Sequence, residues 1–120
     1  MSHLIRFRAA WIRTIGSESA RVDLPDAADQ GVSVVTYTRS FNAPTGVSES
    51  TPIQIVVENW RGGLTAYLDD SVLVQNCDPS LRPFQHSLSG KLSGFHKLTL
   101  ILEDLGNGVE LRGPCYLSIA

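Results

Sequence analysis

Two aromatic residues, Trp60 and Tyr67, stand close to charged side chains in the stretch ENWRGGLTAYLDD. Arg61 and Asp69 are the charged groups next to them. An aromatic face with adjacent hydrogen-bonding groups can stack on a sugar ring and bind its hydroxyls. An aromatic cross-strand pair also stabilises a sheet, covers a sheet edge or meets another subunit, and this structural role is the commoner one.

Two further polar residues could contribute to the same binding surface. Arg82 lies between Pro79 and Pro83, which favour an extended loop and leave the guanidinium exposed at one rim. It could pair with a carboxylate or contact a sugar hydroxyl, although a surface arginine without a ligand is the commoner case. His86 follows on the next predicted strand, and Arg82 and His86 are both weaker candidates than the first four residues. The predicted carbohydrate site therefore consists of Trp60, Arg61, Tyr67, Asp69, Arg82 and His86.

Carboxylates occur in adjacent pairs, at Asp69-Asp70 and at Glu103-Asp104. Successive residues of a strand point to opposite faces, so neither pair can flank one glycosidic bond by itself. The segment GVSES is not the G-x-S-x-G motif of a nucleophilic serine, and strands do not alternate with helices around it. The sequence therefore predicts a protein that is not an enzyme.

The sequence offers little for a metal ion. Three histidines are scattered along the chain, at His3, His86 and His96. None has a second ligand at the spacing of a helical zinc site. Three aspartates lie near one predicted loop: Asp23, Asp26 and Asp29. Calcium suits such oxygen ligands, but this spacing matches no specific calcium motif, and we expect no cofactor.

Alternation of apolar and polar residues predicts strands throughout. In LIRFRAAWIRTI, one strand face would carry Ile5, Phe7, Ala9 and Trp11. Similar runs occur in ARVDL, VSVVTYTRSF, PIQIVVENW, LTAYLDDSVLV, FQHSLS, HKLTLILEDL and CYLSIA. Because no segment shows a sustained helical stripe, the sequence predicts an all-β, antiparallel two-sheet β-sandwich of the jelly-roll type with about eight strands. Residues 1–120 are expected to form this single domain.

The glycine pair Gly62-Gly63 interrupts this alternation. Glycine adopts positive φ angles at little steric cost, so RGG is predicted to be a tight hairpin turn between two paired strands. With a simple register, Trp60 and Tyr67 would be neighbours on the less buried face of that hairpin.

Composition limits the partners. The chain has 120 residues, 42% of them hydrophobic, and a net charge of −2, which provides no cationic field for nucleic acid or for an anionic membrane. No apolar run approaches the ~20 residues of a membrane-spanning helix, and the first residues lack the apolar core of a signal peptide. Cytoplasmic residence is expected unless the chain is cut from a larger precursor. Cys77 and Cys115 are then expected to be free thiols.

Residues 32 to 120 resemble a known family. The runs VVTYTRSFNAPTG, IQIVVENWRGGLTAYLDDSVLV, FQHSLSGKLSGFHKLTLILEDLGNG and GPCYLSIA are similar to the galactose-binding-like jelly roll of family 2 glycoside hydrolases such as β-galactosidases. Arg39 to Pro44 matches the strand and proline loop of that family, and Ser87 to Leu102 approximates its last polar segment and strand. Asp69-Asp70 stands where that family has an Asn-Gly turn. The resemblance implies an accessory sugar-binding domain.

Two functions are predicted on this basis. The first is a non-catalytic carbohydrate-binding module, since a catalytic (β/α)8 barrel needs ~250 residues. Under it, replacing Trp60 with alanine is expected to abolish glycan binding without unfolding the domain. The alternative is a structural or self-assembly module without a small-molecule site, forming a homo-oligomer through an exposed sheet face or edge. Its motivation is apolar residues outside the inferred core rows, including Ile12, Val56 and Ile101.

Overall fold

The computed structural model describes residues 3–29, 31–44, 46, 50–88 and 94–119. These residues form thirteen strands: β1 (His3–Arg6), β2 (Trp11–Ile15), β3 (Glu18–Val22), β4 (Asp26–Ala27), β5 (Val34–Asn42), β6 (Ile53–Val57), β7 (Trp60–Arg61), β8 (Gly63–Leu68), β9 (Ser71–Cys77), β10 (Phe84–Ser87), β11 (Phe95–Glu103), β12 (Glu110–Leu111) and β13 (Cys115–Ile119). The only helical element in the described ranges is a 3-10 turn, Pro79–Leu81. The predicted all-β sandwich is confirmed. Within the same ranges, no helix has the length and apolar character needed to cross a membrane.

A six-stranded antiparallel sheet forms one layer, in the order β3-β2-β5-β11-β8-β9. Its centre is the long β5–β11 pair, in which Val34 lies opposite Glu103 and Asn42 lies opposite Phe95. Side chains alternate between the two faces along both strands, so one row of each faces the core. Tyr37 and Leu100 belong to these inward rows and are fully buried. The outward face is rich in threonine.

The second layer is a four-stranded antiparallel sheet in the order β1-β13-β6-β10. In its central pair, Ile55 of β6 lies opposite Leu117 of β13, and both side chains are fully buried. The inward rows of the two layers form one hydrophobic core cluster. Val56, on the other face of β6, is only 2% exposed. Val56 therefore lies outside the core cluster, as predicted, but it is covered and not exposed, whereas Ile12 is 40% exposed.

The first predicted strand breaks in two because the chain changes sheets. Ala10 adopts a positive φ of 66°, which interrupts the extended backbone between β1 and β2. Phe7 and Trp11, on either side of the break, are both buried, and Trp11 Nε1 donates a hydrogen bond to the Phe7 carbonyl at 2.8 Å. β1 then pairs with β13 in the smaller sheet, and β2 pairs with β5 in the larger one.

The predicted hairpin at Gly62-Gly63 is not formed. β6 belongs to the four-stranded sheet and β8 to the six-stranded sheet, so the chain crosses between layers instead of reversing within one. During the crossing, β7 joins a small third sheet of order β4-β12-β7. Gly62 has a φ of +106°, and a Cβ placed on it would lie 2.7 Å from the Glu103 carbonyl oxygen. The glycine therefore permits close approach of two backbones rather than a hairpin turn.

A buried polar group ties β2, β4 and β5 together. The Tyr37 hydroxyl donates to Asp26 Oδ2 at 2.7 Å, and Arg13 Nη1 lies 3.0 Å from the same carboxylate. Burial, reinforced by the hydrogen bond to Asp26, raises the pKa of Tyr37. The Asp26 carboxylate is thus already occupied, and the described residues contain no group of three histidine, cysteine or acidic side chains arranged to hold a metal ion.

The two cysteines are free, as predicted, and the structure shows that both are buried. Burial raises the pKa of the Cys115 thiol to about 12, opposed by the nearby Arg39. Burial also raises the pKa of Cys77. Both side chains therefore behave as small apolar core residues.

Candidate functional site

A cavity of about 610 Å³ lies beside the small third sheet. Three segments line it: residues 59–62 around β7, residues 78–82 around the 3-10 turn, and residues 105–112 around β12. We call it the arginine cleft, because Arg61, Arg82 and Arg112 all line it. Its size falls within the range of small-molecule sites.

Arg82 is the most firmly positioned of these arginines. Its Nη1 donates to the side-chain oxygen of Asn59 and, at 3.3 Å, to the carbonyl of Trp60. Both acceptors are neutral, and none of the described carboxylates lies within ion-pair distance of Arg82. The guanidinium is therefore held in place while its positive charge stays available to a ligand.

The 3-10 turn before Arg82 is fixed by its own cap. Asp78 Oδ1 accepts a hydrogen bond from the Ser80 amide at 2.8 Å. This bond lowers the pKa of Asp78. The carboxylate therefore stays ionised at neutral pH and orders the wall of the cleft from which Arg82 extends.

Glu110 joins the other two arginines. Its carboxylate lies 3.4 Å from Arg61 Nη2 and 3.4 Å from Arg112 Nη2. Arg61 and Glu110 are direct cross-strand partners in the β7–β12 pair, which explains the first contact. The Glu110 side chain is 15% exposed, whereas the Arg61 and Arg112 side chains are 51% and 57% exposed. Glu110 thus anchors two guanidinium groups whose remaining N–H donors face solvent.

The remaining wall of the cleft is an ordered loop between β11 and β12. Asp104 Oδ1 accepts hydrogen bonds from the amides of Gly106 and Gly108, at 2.7 and 2.9 Å. These bonds lower the pKa of Asp104 and hold the loop in one conformation. Asn107, between the two glycines, also lines the cleft and adds a neutral donor and acceptor.

Trp60 and Tyr67 are not neighbours, and this prediction is wrong. Trp60 lies in β7 of the small sheet and is 1% exposed, while Tyr67 lies in β8 of the large sheet and is half-buried. Tyr67 is instead the cross-strand neighbour of Thr99 and Val72. The indole of Trp60 is consequently part of the floor under the cleft rather than an open stacking face.

The six predicted site residues divide into separate groups. Trp60, Arg61 and Arg82 meet in the arginine cleft. Asp69 and His86 line a different pocket of about 280 Å³, between the β8–β9 hairpin and β10. Tyr67 lines neither of these two pockets.

The second pocket is organised by an Asp69–His96 pair. Asp69 occupies the β8–β9 turn with a φ of 53°, and its Oδ2 lies 2.7 Å from His96 Nδ1. Its other oxygen accepts from the Lys97 amide at 2.9 Å. The hydrogen bond to His96, followed by that to Lys97, lowers the pKa of Asp69. The pair is best explained as a link between the turn and β11, with His96 buried at 9% exposure.

This pair predicts a pH effect on stability. Because the pKa of folded Asp69 lies below its ordinary 3.8, its contribution is complete above 3.8 and is lost as pH falls through the lowered value. We expect Asp69→Asn to reduce stability at neutral pH, and the deficit to shrink as the solution is acidified through that window. Urea unfolding at a series of pH values measures this. Asp70→Asn is the matched control, and a deficit of constant size across that range would contradict the assignment.

Sequence reasoning missed Glu110, Arg112, Asn59 and Asn107 as members of the cleft. Glu110 and Arg112 flank Leu111 in VELRG, a weak alternation that indicates a short strand. That alternation was the one available signal, and it does not specify pairing with β7, which lies about fifty residues earlier in the chain.

A scan against protein-family models and a search of curated proteins both find no match to this sequence. Solved structures do match. Faecalibacterium prausnitzii β-glucuronidase has a TM-score of 0.80 at 10% identity over 99% of this chain and 31% of its own. A putative β-galactosidase from Bacteroides fragilis has a TM-score of 0.79 at 11% identity over 98% of this chain and 23% of its own. A family 2 glycosyl hydrolase from Bacteroides cellulosilyticus has a TM-score of 0.78 at 12% identity over 98% of this chain and 20% of its own.

At these identities the likeness establishes the fold. The predicted resemblance to a domain of family 2 glycoside hydrolases is therefore confirmed at the level of architecture. The chain spans 20% to 31% of the length of these three structures, so it corresponds to one small part of each.

Proposed function

We propose that this chain is a non-catalytic carbohydrate-binding module whose ligand lies in the arginine cleft. The observation that carries the proposal is Arg82, a guanidinium held by two neutral acceptors at a cleft of about 610 Å³. Its remaining N–H donors form a planar fork suited to neighbouring oxygen atoms of a polyol. Arg61, Arg112 and Asn107 supply further donors around the same space.

The carboxylates of the cleft support a binding role rather than a hydrolytic one. Glu110 contacts Arg61 and Arg112, and Asp78 caps the 3-10 turn through Ser80. A retaining or inverting hydrolase needs one carboxyl group free to donate a proton and a second free to attack or to activate water. Both carboxylates here are instead committed to contacts that position arginines.

The names of the matching structures add to this proposal. They are a β-glucuronidase, a putative β-galactosidase and a family 2 glycosyl hydrolase, and this chain corresponds to a small part of each. An accessory domain of a protein that acts on glycosides has an evident use for sugar binding.

The test is a glycan-array screen followed by calorimetric titration of Arg82→Gln with the best glycan. We expect affinity to fall roughly tenfold to a hundredfold, because hydrogen bonds to a charged group contribute about 1.5–3 kcal/mol. Arg61→Gln should weaken binding less, since its side chain is 51% exposed. Arg21→Gln is the control, because Arg21 is an exposed residue of the β3 edge strand away from the cleft.

Unchanged affinity in Arg82→Gln, with binding that is otherwise saturable, would remove the cleft from the proposal. A screen without any binding glycan would remove the carbohydrate function itself. Thermal unfolding of each variant must match the parent protein, because Arg82 also holds Asn59 and the Trp60 carbonyl.

Self-association is the second candidate, favoured by one row on the outer face of the six-stranded sheet. Ile12 and Val72, which are 40% and 49% exposed, belong to one cross-strand row that includes Tyr67 and ends at Arg21 on the β3 edge. A mass measurement during the same titrations separates the two candidates. A monomer at every accessible concentration would argue against assembly through this face.

A further inference from the structure

A third cavity, distinct from the Asp69–His96 pocket, adjoins the arginine cleft and is lined by apolar and basic residues. Its volume is about 250 Å³, and its floor consists of Phe7, Leu24 and Cys115, all of them buried. Pro25 and Pro114 line it from two separate loops. We call it the proline pocket. Two backbone hydrogen bonds hold its base together, from the Phe7 amide to the Cys115 carbonyl and from the Leu24 amide to the Arg8 carbonyl, each at 2.8 Å.

The charged residues that line the proline pocket are all arginines. Arg6, Arg8 and Arg112 are exposed there, and no acidic residue lines the pocket. Arg112 has a carboxylate partner in Glu110 at 3.4 Å. Arg6 and Arg8 have no carboxylate within ion-pair distance among the described residues. The whole chain carries a net charge of −2, so the positive charge of this arginine cluster is opposite in sign to that of the protein as a whole.

We propose that the proline pocket binds a small arene carboxylate, with its ring on the apolar floor and its carboxylate among the arginines. The volume of about 250 Å³ lies just below the roughly 300–1,000 Å³ of drug-sized ligand sites, which suits a ligand with a single ring. Proline and guanidinium surfaces both pack against aromatic rings, and a guanidinium also binds a carboxylate through two parallel hydrogen bonds. The apolar floor and cationic rim therefore complement the two halves of this ligand. The proline pocket adjoins the proposed sugar cleft and shares Arg112 with it, and its other lining residues are its own.

The experiment is an NMR-detected titration of the protein with benzoate, benzamide and acetate. Benzamide retains the ring without the charge, and acetate retains the charge without the ring. We expect benzoate to shift the amide signals of Phe7, Leu24 and Cys115 saturably, and to bind at least several-fold more tightly than either comparison ligand. Added salt should weaken benzoate and leave benzamide unaffected.

Arg8→Gln tests the charged rim, since Arg8 lines the proline pocket and not the arginine cleft. We expect about a threefold loss of benzoate affinity with no change for benzamide, the range for one exposed ion pair. Arg21→Gln should leave both affinities unchanged. Equal affinities for benzoate and benzamide, or shifts that rise linearly without saturation, would overturn the proposal. Saturable shifts that map to the arginine cleft instead would also overturn it.

Discussion

Gly62→Ala is expected to lower the free energy of unfolding by about 2–5 kcal/mol, well beyond the cost of the same change at Gly106. Gly62 has a φ of +106°, a conformation that costs an L-residue roughly 1–2 kcal/mol. Its added Cβ would also lie 2.7 Å from the Glu103 carbonyl oxygen, and relieving such a backbone contact costs roughly a further 1–3 kcal/mol. Denaturant unfolding of the two variants measures the difference.

Gly106 is the matched control because it shares the backbone strain without the contact. Its φ is +116°, and no atom lies within 4 Å of the position of an added Cβ. Gly106→Ala should therefore show the cost of the positive φ alone, about 1–2 kcal/mol. Equal losses in both variants would mean that the crossing at Gly62 relaxes freely, and would contradict the close approach to β11.

The core rows were predictable because they depend on local alternation. In β5, Val35, Tyr37 and Phe41 point inward, as their spacing indicates, and the same holds for β11 and β13. A strand with one buried face cannot shift by one residue without exposing that row, so the sequence pattern fixes which side faces the core. The all-β class follows from the same property.

The connections between layers were not predictable by the same means. A positive φ at glycine suits a hairpin turn, a bulge or a close backbone approach equally well, and the sequence around Gly62 does not distinguish them. The choice depends on whether β6 pairs with β8, which is a contact between whole sheets. In the structure β6 pairs with β10 and β13 instead. The break at Ala10 has the same origin, since β1 and β2 join different sheets.

Only part of the candidate site could be predicted from the sequence, because contacts between distant segments complete it. Arg61 and Arg82 are recognisable as arginines beside turn residues, and the structure brings both to one cleft. Glu110 lies far along the chain from its partner Arg61, and no motif around Asn59 indicates its contact with Arg82. Asp69 is recognisable from the sequence as a carboxylate near an aromatic residue, but its bond to His96 spans 27 positions and has no local signal.

Trp60→Ala is expected to destabilise the protein by about 3–5 kcal/mol, the usual cost of removing a buried aromatic side chain. Trp60 is 1% exposed, so the variant opens a large cavity beneath the arginine cleft. The sequence-based expectation that this change spares the fold does not take the burial of Trp60 into account. Loss of glycan binding in this variant is therefore interpreted together with its measured free energy of unfolding.

Tyr67→Ala tests whether Trp60 and Tyr67, which the sequence predicts to be neighbours, contribute differently to stability. Tyr67 is half-buried on the outer face of the six-stranded sheet, so we expect a loss of about 1 kcal/mol or less. Urea unfolding monitored by circular dichroism measures both variants on one scale. A Trp60→Ala variant as stable as Tyr67→Ala would place the indole at the surface and restore the aromatic stacking site, because only an exposed ring can be removed without leaving a cavity.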